Sequence, residues 1–380
     1  MDEYDVLIVG CGLSGSVMAN LFATKLNYKV LIIESRDHIG GNCYDYIDEE
    51  TGILMNKYGA HIFHTNDIEV WNYVNNFAKW IRYEHRVLAD IGNNEFVPMP
   101  INGTTINMLT NENLQTESDI VEWLNNNKID YNKSEILNSE DSVLSKVGPI
   151  LYDTLFKNYT IKQWDLPPNL LDKSVLERIP IRTNFDNRYF TDKYQALPKN
   201  GYTKMFENML NHPNIKILLN TNYFDFIKKS NYTQSNKNIT IFTGRIDHFF
   251  SSSGYEPLKY RSLKFHKEIY NSKYYQPNSV INYTNKCVPY IRSVEYKHFL
   301  NQESSKTVVV YEYSKESISV DDAMYPIPTM YNIELYKKYK ELTYKQKDVH
   351  FVGRLANYKY FNMDQAIRNA IDYFNEYFQK

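Results

Sequence analysis

Tyr4–Val9 is an apolar, β-branched run interrupted only by Asp5, the pattern of a buried strand. A glycine-rich turn follows, and Ser16–Lys25 then carries small and apolar residues suited to a close-packed helix. Lys29–Ile33 repeats the apolar strand pattern and ends at Glu34. Strand, helix and strand in this order predict a βαβ unit of a parallel, doubly wound sheet. Helical spacing returns over Thr116–Asn127, Ser142–Asn158, Thr203–Leu210 and Met363–Tyr377. From about Arg178 the chain turns to short aromatic and β-branched stretches, Ile239–Phe242, Val280–Tyr283 and Thr307–Tyr311, which read as an antiparallel sheet. Val349–Gly353 is again a strand running into a loop before the last helix. A chain that ends as it began, with strand, loop and helix, suggests a nucleotide domain interrupted by insertions.

The expected architecture is therefore α/β, with a discontinuous Rossmann-like nucleotide-binding domain, a helical insertion and an antiparallel β-sheet domain. The first takes residues 1–80, 200–248 and 340–380, and the helical insertion takes 100–177. The sheet, expected to hold substrate, takes 81–99, 178–199 and 249–339.

Composition narrows the function by exclusion. The 380 residues are 43% hydrophobic and 23% charged with a net charge of −2, so there is no basic field for nucleic acid or an acidic membrane surface. No apolar run approaches the roughly 20 residues that span a bilayer. The start, Met1-Asp2-Glu3-Tyr4-Asp5, is acidic where a secretory signal is basic. Three cysteines, Cys11, Cys43 and Cys287, make no disulfide framework. These features predict a cytoplasmic protein. The 34 tyrosines fit codon bias in an AT-rich genome, as do the sequons at Asn158, Asn231 and Asn282, which read as chance.

Gly10, Gly12 and Gly15 fit the dinucleotide fingerprint G-x-G-x-x-G. The first permits a tight turn, the second lets backbone approach a pyrophosphate, and the third lets helix pack on strand. The helix N-terminus then offers free N–H groups to phosphate. Glu34 stands about twenty residues on, where an acid takes ribose hydroxyls. Gly40-Gly41-Asn42 soon afterwards favours FAD over NAD, because a second glycine pair lets another loop approach the same dinucleotide. His61 and His64 lack the partners of a zinc site, and no metal is expected. Beside a flavin they read as contacts to its ring.

Longer segments carry a resemblance. Tyr159-Thr-Ile-Lys-Gln-Trp164 resembles the signature of the UDP-galactopyranose mutase family, and so does Arg178-Ile-Pro-Ile-Arg182-Thr-Asn-Phe-Asp186-Asn-Arg188-Tyr189-Phe190. Further similar segments are Gly201-Tyr-Thr, Tyr260-Arg261-Ser-Leu, Asn282-Tyr283-Thr, Gly353-Arg354-Leu and Tyr358-Lys-Tyr360-Phe-Asn-Met363-Asp364. They run in order over nearly the whole chain, and by length it is similar to the bacterial branch. Ile291 and Ser314 stand where the pattern has Thr and Pro; neither departure touches a charge.

The resemblance implies an isomerase that interconverts UDP-galactopyranose and UDP-galactofuranose by ring contraction. Reduced flavin N5 is then the nucleophile on the anomeric carbon and there is no net redox change, so the protein needs no Ser, Cys or Glu nucleophile. It implies Arg178 and Arg292 as catalytic residues on the diphosphate, where guanidinium forks suit phosphate oxygens. Arg182, Arg188 and Arg261 read as structural. Substrate contacts are implied for Thr160, Trp164, Tyr189, Asn282, Tyr325 and Tyr360. Cofactor contacts fall to Gly10, Gly12, Ser14, Gly15, Glu34, Ser35, Gly41, Asn42, His61, Ile62, His64, Arg354, Met363 and Asp364. The resemblance also implies a homodimer. Pro167-Pro168 forbids a continuous helix before Arg178 and suggests a mobile lid. Two other classes share part of this pattern: a flavin amine oxidase-like oxidoreductase, and a flavin-less carbohydrate-binding protein using the Tyr-rich sheet.

Overall fold

The computed structural model describes residues 3–132, 134–229 and 234–379. The Asn231 sequon and the first two residues lie outside these.

The apolar runs at the start form strands Tyr4–Val9 and Val30–Ile33, joined by helix Leu13–Lys25. They lie in a five-stranded sheet ordered Ile215–Leu218, Val30–Ile33, Tyr4–Val9, Gln234–Phe242, Val349–Phe351, parallel throughout. Ile239–Phe242 therefore belongs to this sheet and not to an antiparallel one. Its apolar run gave no direction, and pairing with Tyr4–Val9 decides it. Helix Leu13–Lys25 is buried from Ser14 to Ala23, as its small residues allow. Against it packs helix Met363–Tyr377, whose Met363, Ala366, Ile367, Ala370 and Phe374 make one apolar stripe. Phe22 and Phe374 meet edge to face, centroids 5.2 Å apart.

The second sheet has seven strands, in the order Tyr325–Pro326, Tyr260–Tyr270, Thr307–Glu316, Arg292–Glu295, Val280–Tyr283, Val87–Gly92, Glu95–Met99. It is mixed rather than antiparallel, because Val280–Tyr283 and Val87–Gly92 pair in parallel. Strand Tyr194–Pro198 departs from the expected division. It pairs with Phe63–Thr65 and Trp80–Arg82 in a separate three-stranded sheet.

Helices occupy most of 103–177. The expected helix over Ser142–Asn158 is longer and broken. It runs Ser139–Leu151, widens into a π-turn over Tyr152–Lys157 and continues as Asn158–Trp164. At Gly148, φ is +74° and a Cβ would fall 2.0 Å from the Asn127 carbonyl, so only glycine lets the two helices pass. The π-turn rotates the last segment relative to a continuous α-helix, and Thr160, Gln163 and Trp164 are its buried residues.

Candidate active site

Two cavities lie between these layers. The first, about 220 Å³, opens at the ends of the parallel strands and is lined by Gly10, Gly12, Glu34, Ser35, Gly41, Asn42 and Thr243, among others. Gly10 has φ +99°, and a Cβ there would fall 2.3 Å from Thr243 Oγ1. Gly12 and Gly41 bring the two glycine loops together, since a Cβ on Gly41 would lie 2.9 Å from Gly12 Cα. A Cβ on Gly12 would meet nothing nearer than Gly41 Cα at 3.8 Å, so open space faces the helix N-terminus. That cradle fits a dinucleotide's pyrophosphate. Glu34 accepts the Cys11 N–H at 2.7 Å through Oε2 and the Arg36 N–H at 3.0 Å through Oε1. It ties strand end to glycine loop; Oε1 also accepts from Ser35 Oγ at 3.4 Å, and Oε2 keeps a second lone pair for a ribose hydroxyl.

Three expected cofactor residues line neither cavity. Gly15 works from behind the loop, where a Cβ would sit 2.0 Å from the Gly10 carbonyl. Ser14 is buried against Gly353. Asp364 lies near His64, Thr65 and Asp192, its carboxyl raised by burial.

The second cavity, about 300 Å³, shares Asn42 with the first. It gathers Arg178, Arg292 and Arg354 with Thr160, Trp164, Tyr189, Asn282, Tyr325 and Tyr360, and also His61, Ile62, His64 and Met363. Register explains part of this. Asn282 pairs with Arg292, and Arg292 with Glu312, so three polar side chains stand abreast on adjacent strands. Arg292 donates to Tyr159 Oη at 2.9 Å and its Nε lies 3.3 Å from Glu312 Oε2. Arg178 donates to the Val175 carbonyl at 3.1 Å and covers the Tyr360 ring. Trp164 meets Tyr325 edge to face at 5.4 Å, and Tyr325 meets Tyr360 at 5.8 Å.

Charge here is unbalanced towards positive. Burial pushes the Tyr360 phenol up, but Arg178, Arg354 and Arg292 outweigh it and bring it down to about 8. Among the described residues Glu312 is the one carboxylate in the lining, raised by burial and held by Arg292. It is buried and committed, not poised as a nucleophile. His61 is brought down to about 4 by burial and its Nδ1 lies 2.8 Å from the Gly59 carbonyl. His64 pairs with Asp192 at 3.1 Å. No group of three or more His, Cys, Asp or Glu side chains converges as a metal site among the described residues.

The other arginines hold the walls. Arg182 donates to the Arg188 and Tyr189 carbonyls, and Arg188 grips Asp186, fixing the loop that presents Tyr189. Arg261 donates to the Gln163 carbonyl at 3.1 Å and to Ser314 Oγ at 2.7 Å. Ser314 thus does touch a charge, contrary to expectation, through a hydroxyl that proline lacks. Asn282 lies in the cavity wall, which leaves no room for a glycan there. All three cysteines are free, Cys287 alone exposed. Sequence reasoning passed over Tyr159, though it opens the quoted signature segment, and Glu312, which only strand register brings to the site.

A family model described as UDP-galactopyranose mutase matches residues 154–360, and one for an NAD(P)-binding Rossmann-like domain matches 8–77. A probable UDP-galactopyranose mutase of Klebsiella pneumoniae is 39% identical over 99% of this chain and 95% of its own length. A dTDP-fucopyranose mutase of Escherichia coli is 38% identical over 97% and 96%. A solved reduced UDP-galactopyranose mutase superposes with TM-score 0.76 at 16% identity, covering 98% of this chain and 95% of that one. A putrescine oxidase variant shares the fold at TM-score 0.61 and 11% identity, over 100% and 99%. The likeness to amine oxidases is thus one of fold.

Proposed function

We infer the function from one premise: the chain belongs to the UDP-galactopyranose mutase family. It is a flavin-dependent isomerase, with FAD as cofactor, that interconverts UDP-galactopyranose and UDP-galactofuranose. The observation that carries this reading at the level of residues is the cluster of Arg178, Arg292 and Arg354 around Tyr360, in a cavity sharing Asn42 with the glycine-loop cleft.

The roles follow from that chemistry. Reduced flavin, when bound, supplies the nucleophile for the anomeric carbon. We assign its adenosine diphosphate half to Gly10, Gly12, Glu34, Ser35, Gly41 and Asn42, with Ser14 and Gly15 shaping the loop. His61, Ile62, His64, Arg354, Met363 and Asp364 are assigned to the ring end. Arg178 and Arg292 hold the diphosphate. Their charge-assisted hydrogen bonds strengthen as UDP departs with its full negative charge, which lowers the barrier to departure. Tyr189, Tyr325 and Tyr360 offer hydroxyl donors to the same oxygens. Trp164 offers a face to the base, while Thr160 and Asn282 orient the nucleotide sugar. A wall this aromatic excludes water, whose attack at the anomeric carbon would release free sugar. The reading extends to the segment from Pro167-Pro168 to Arg178 as a mobile lid, argued from its prolines, to a cytoplasmic location, argued from the acidic start and the cysteines, and to a homodimer, which rests on the family resemblance.

A second reading keeps the reaction and changes the substrate to a dTDP-sugar, favoured by the 38% identity to a dTDP-fucopyranose mutase. Anaerobic incubation of reduced protein with UDP-galactose and, separately, dTDP-fucose separates the two, with products resolved by anion exchange. UDP-galactofuranose is the expected product. Conversion of dTDP-fucose alone would transfer the assignment to the second reading.

A further inference from the structure

Lys162 lies on the helix that carries Thr160 and Trp164. Its ammonium lies within hydrogen-bond distance of four backbone carbonyls, which its three N–H donors must share: Tyr283 at 2.6 Å, Asn285 at 3.0 Å, Val288 at 3.0 Å and Tyr290 at 3.1 Å. Burial brings this ammonium down to about 8 with only the Asp90 charge opposing, and the carbonyls of one turn are its direct partners. Those carbonyls belong to the loop between strands Val280–Tyr283 and Arg292–Glu295. The loop's ends are closed by Tyr283 N–H to the Ile291 carbonyl at 2.9 Å and Thr284 Oγ1 to the Asp90 carbonyl at 3.0 Å, while its middle has Cys287 N–H to Asn285 Oδ1 at 2.8 Å and Val288 N–H to the Asn285 carbonyl at 3.3 Å. Its middle, Asn285 to Cys287, is exposed. The two strands it joins carry Asn282 and Arg292, paired across the ladder. A cation ringed by carbonyls holds a loop as a bound metal ion would, and removing it leaves four dipoles pointing at one another.

We propose that Lys162 is a positioning residue that pins this loop to the helix and so fixes Asn282 and Arg292 opposite Thr160 and Trp164. It sets the width of the cleft that takes the nucleotide sugar without touching the substrate. The proposal rests on the substrate assignments above, and its test is arranged so that the two can fail separately.

Cys287 provides a reporter, because it is the exposed thiol while Cys11 and Cys43 are buried. In FAD-loaded protein a nitroxide on Cys287 reads loop mobility with no substrate present. Lys162→Met, similar in length but without donors, should sharpen the spectrum to that of a mobile label. Lys162→Gln, with two donors, should fall between, and Lys162→Arg should recover most of the order. In turnover assays Lys162→Met should lower kcat/KM for UDP-galactose about tenfold, the loss expected of one charge-assisted contact set, with flavin content little changed. Identical label mobility in wild type and in both Lys162→Met and Lys162→Gln would overturn the anchor. A mobile loop with unchanged kcat/KM would overturn its role in the cleft. Failure of the wild type itself to convert UDP-galactose would count against the substrate assignment, while the label would still decide the anchor.

Discussion

The guanidinium carbon of Arg178 sits 4.1 Å from the centre of the Tyr360 ring. That contact, with Arg354 at 5.1 Å from the same ring, brings the phenol down to about 8 against the upward push of burial. A free phenol titrates near 10. The folded protein therefore sheds this proton before the unfolded chain does. The ionised phenol adds stability that is complete above about pH 10 and is lost as pH falls through about 8. Phenolate and diphosphate compete for the same guanidinia, so UDP affinity should weaken as pH rises above 8. Tyrosinate absorbance should show one early titration in the wild type that is missing in Tyr360→Phe. Equal UDP affinity at neutral pH and a unit above 8 would contradict this competition.

The two diphosphate arginines should differ in their structural cost. Arg178 is exposed to the cleft, bonded to the Val175 carbonyl and to Tyr360 and, among the described residues, paired with no buried carboxylate, so Arg178→Ala should leave the melting temperature near wild type. Arg292 faces Glu312, whose side chain is 2% exposed, so Arg292→Ala strands a buried carboxylate. With Arg292 itself 31% exposed, about 2–4 kcal/mol of stability should go. Turnover should drop about ten- to a hundredfold in each variant, with flavin content normal. Lysine should rescue only in part, lacking the fork. The double variant Arg292→Ala/Glu312→Gln should regain stability but not turnover. Recovery of turnover there would mean that Arg292 serves the fold alone.

Gly12 and Gly15 make a matched pair for the cofactor cleft. A Cβ at Gly12 meets only Gly41 Cα at 3.8 Å, whereas one at Gly15 meets the Gly10 carbonyl at 2.0 Å. Gly12→Val should fold, with normal circular dichroism, yet copurify with little flavin. Gly15→Ala should lose about 1–3 kcal/mol of stability, as overpacking does. A folded Gly12→Val that retains full flavin would show that the pyrophosphate lies elsewhere.

Much of this was legible in local pattern. The βαβ unit was plain because Val6–Val9 and Val30–Ile33 are wholly apolar and the glycines stand between them. The last helix was plain because Met363, Ala366, Ile367, Ala370 and Phe374 keep strict helical spacing. What local pattern could not supply was pairing. Ile239–Phe242 and Val280–Tyr283 look alike as strings, yet one enters the parallel sheet and the other pairs with Arg292–Glu295. Glu312 was invisible for the same reason, since only register places it beside Arg292. The π-turn over Tyr152–Lys157 hid because its residues read as ordinary helix. Lys162 carries no local signal of its place, because the four carbonyls around it come from a loop more than 120 residues away.

The central claim is an isomerase that needs reduced flavin yet consumes no electrons. The direct measurement is turnover of UDP-galactofuranose to UDP-galactopyranose under nitrogen, with the same FAD-loaded preparation fully oxidised and then reduced by dithionite. The account predicts product only after reduction, many turnovers per flavin, and flavin still reduced when substrate is exhausted. Equal turnover by the fully oxidised protein, or one flavin oxidised for each product formed, would contradict it.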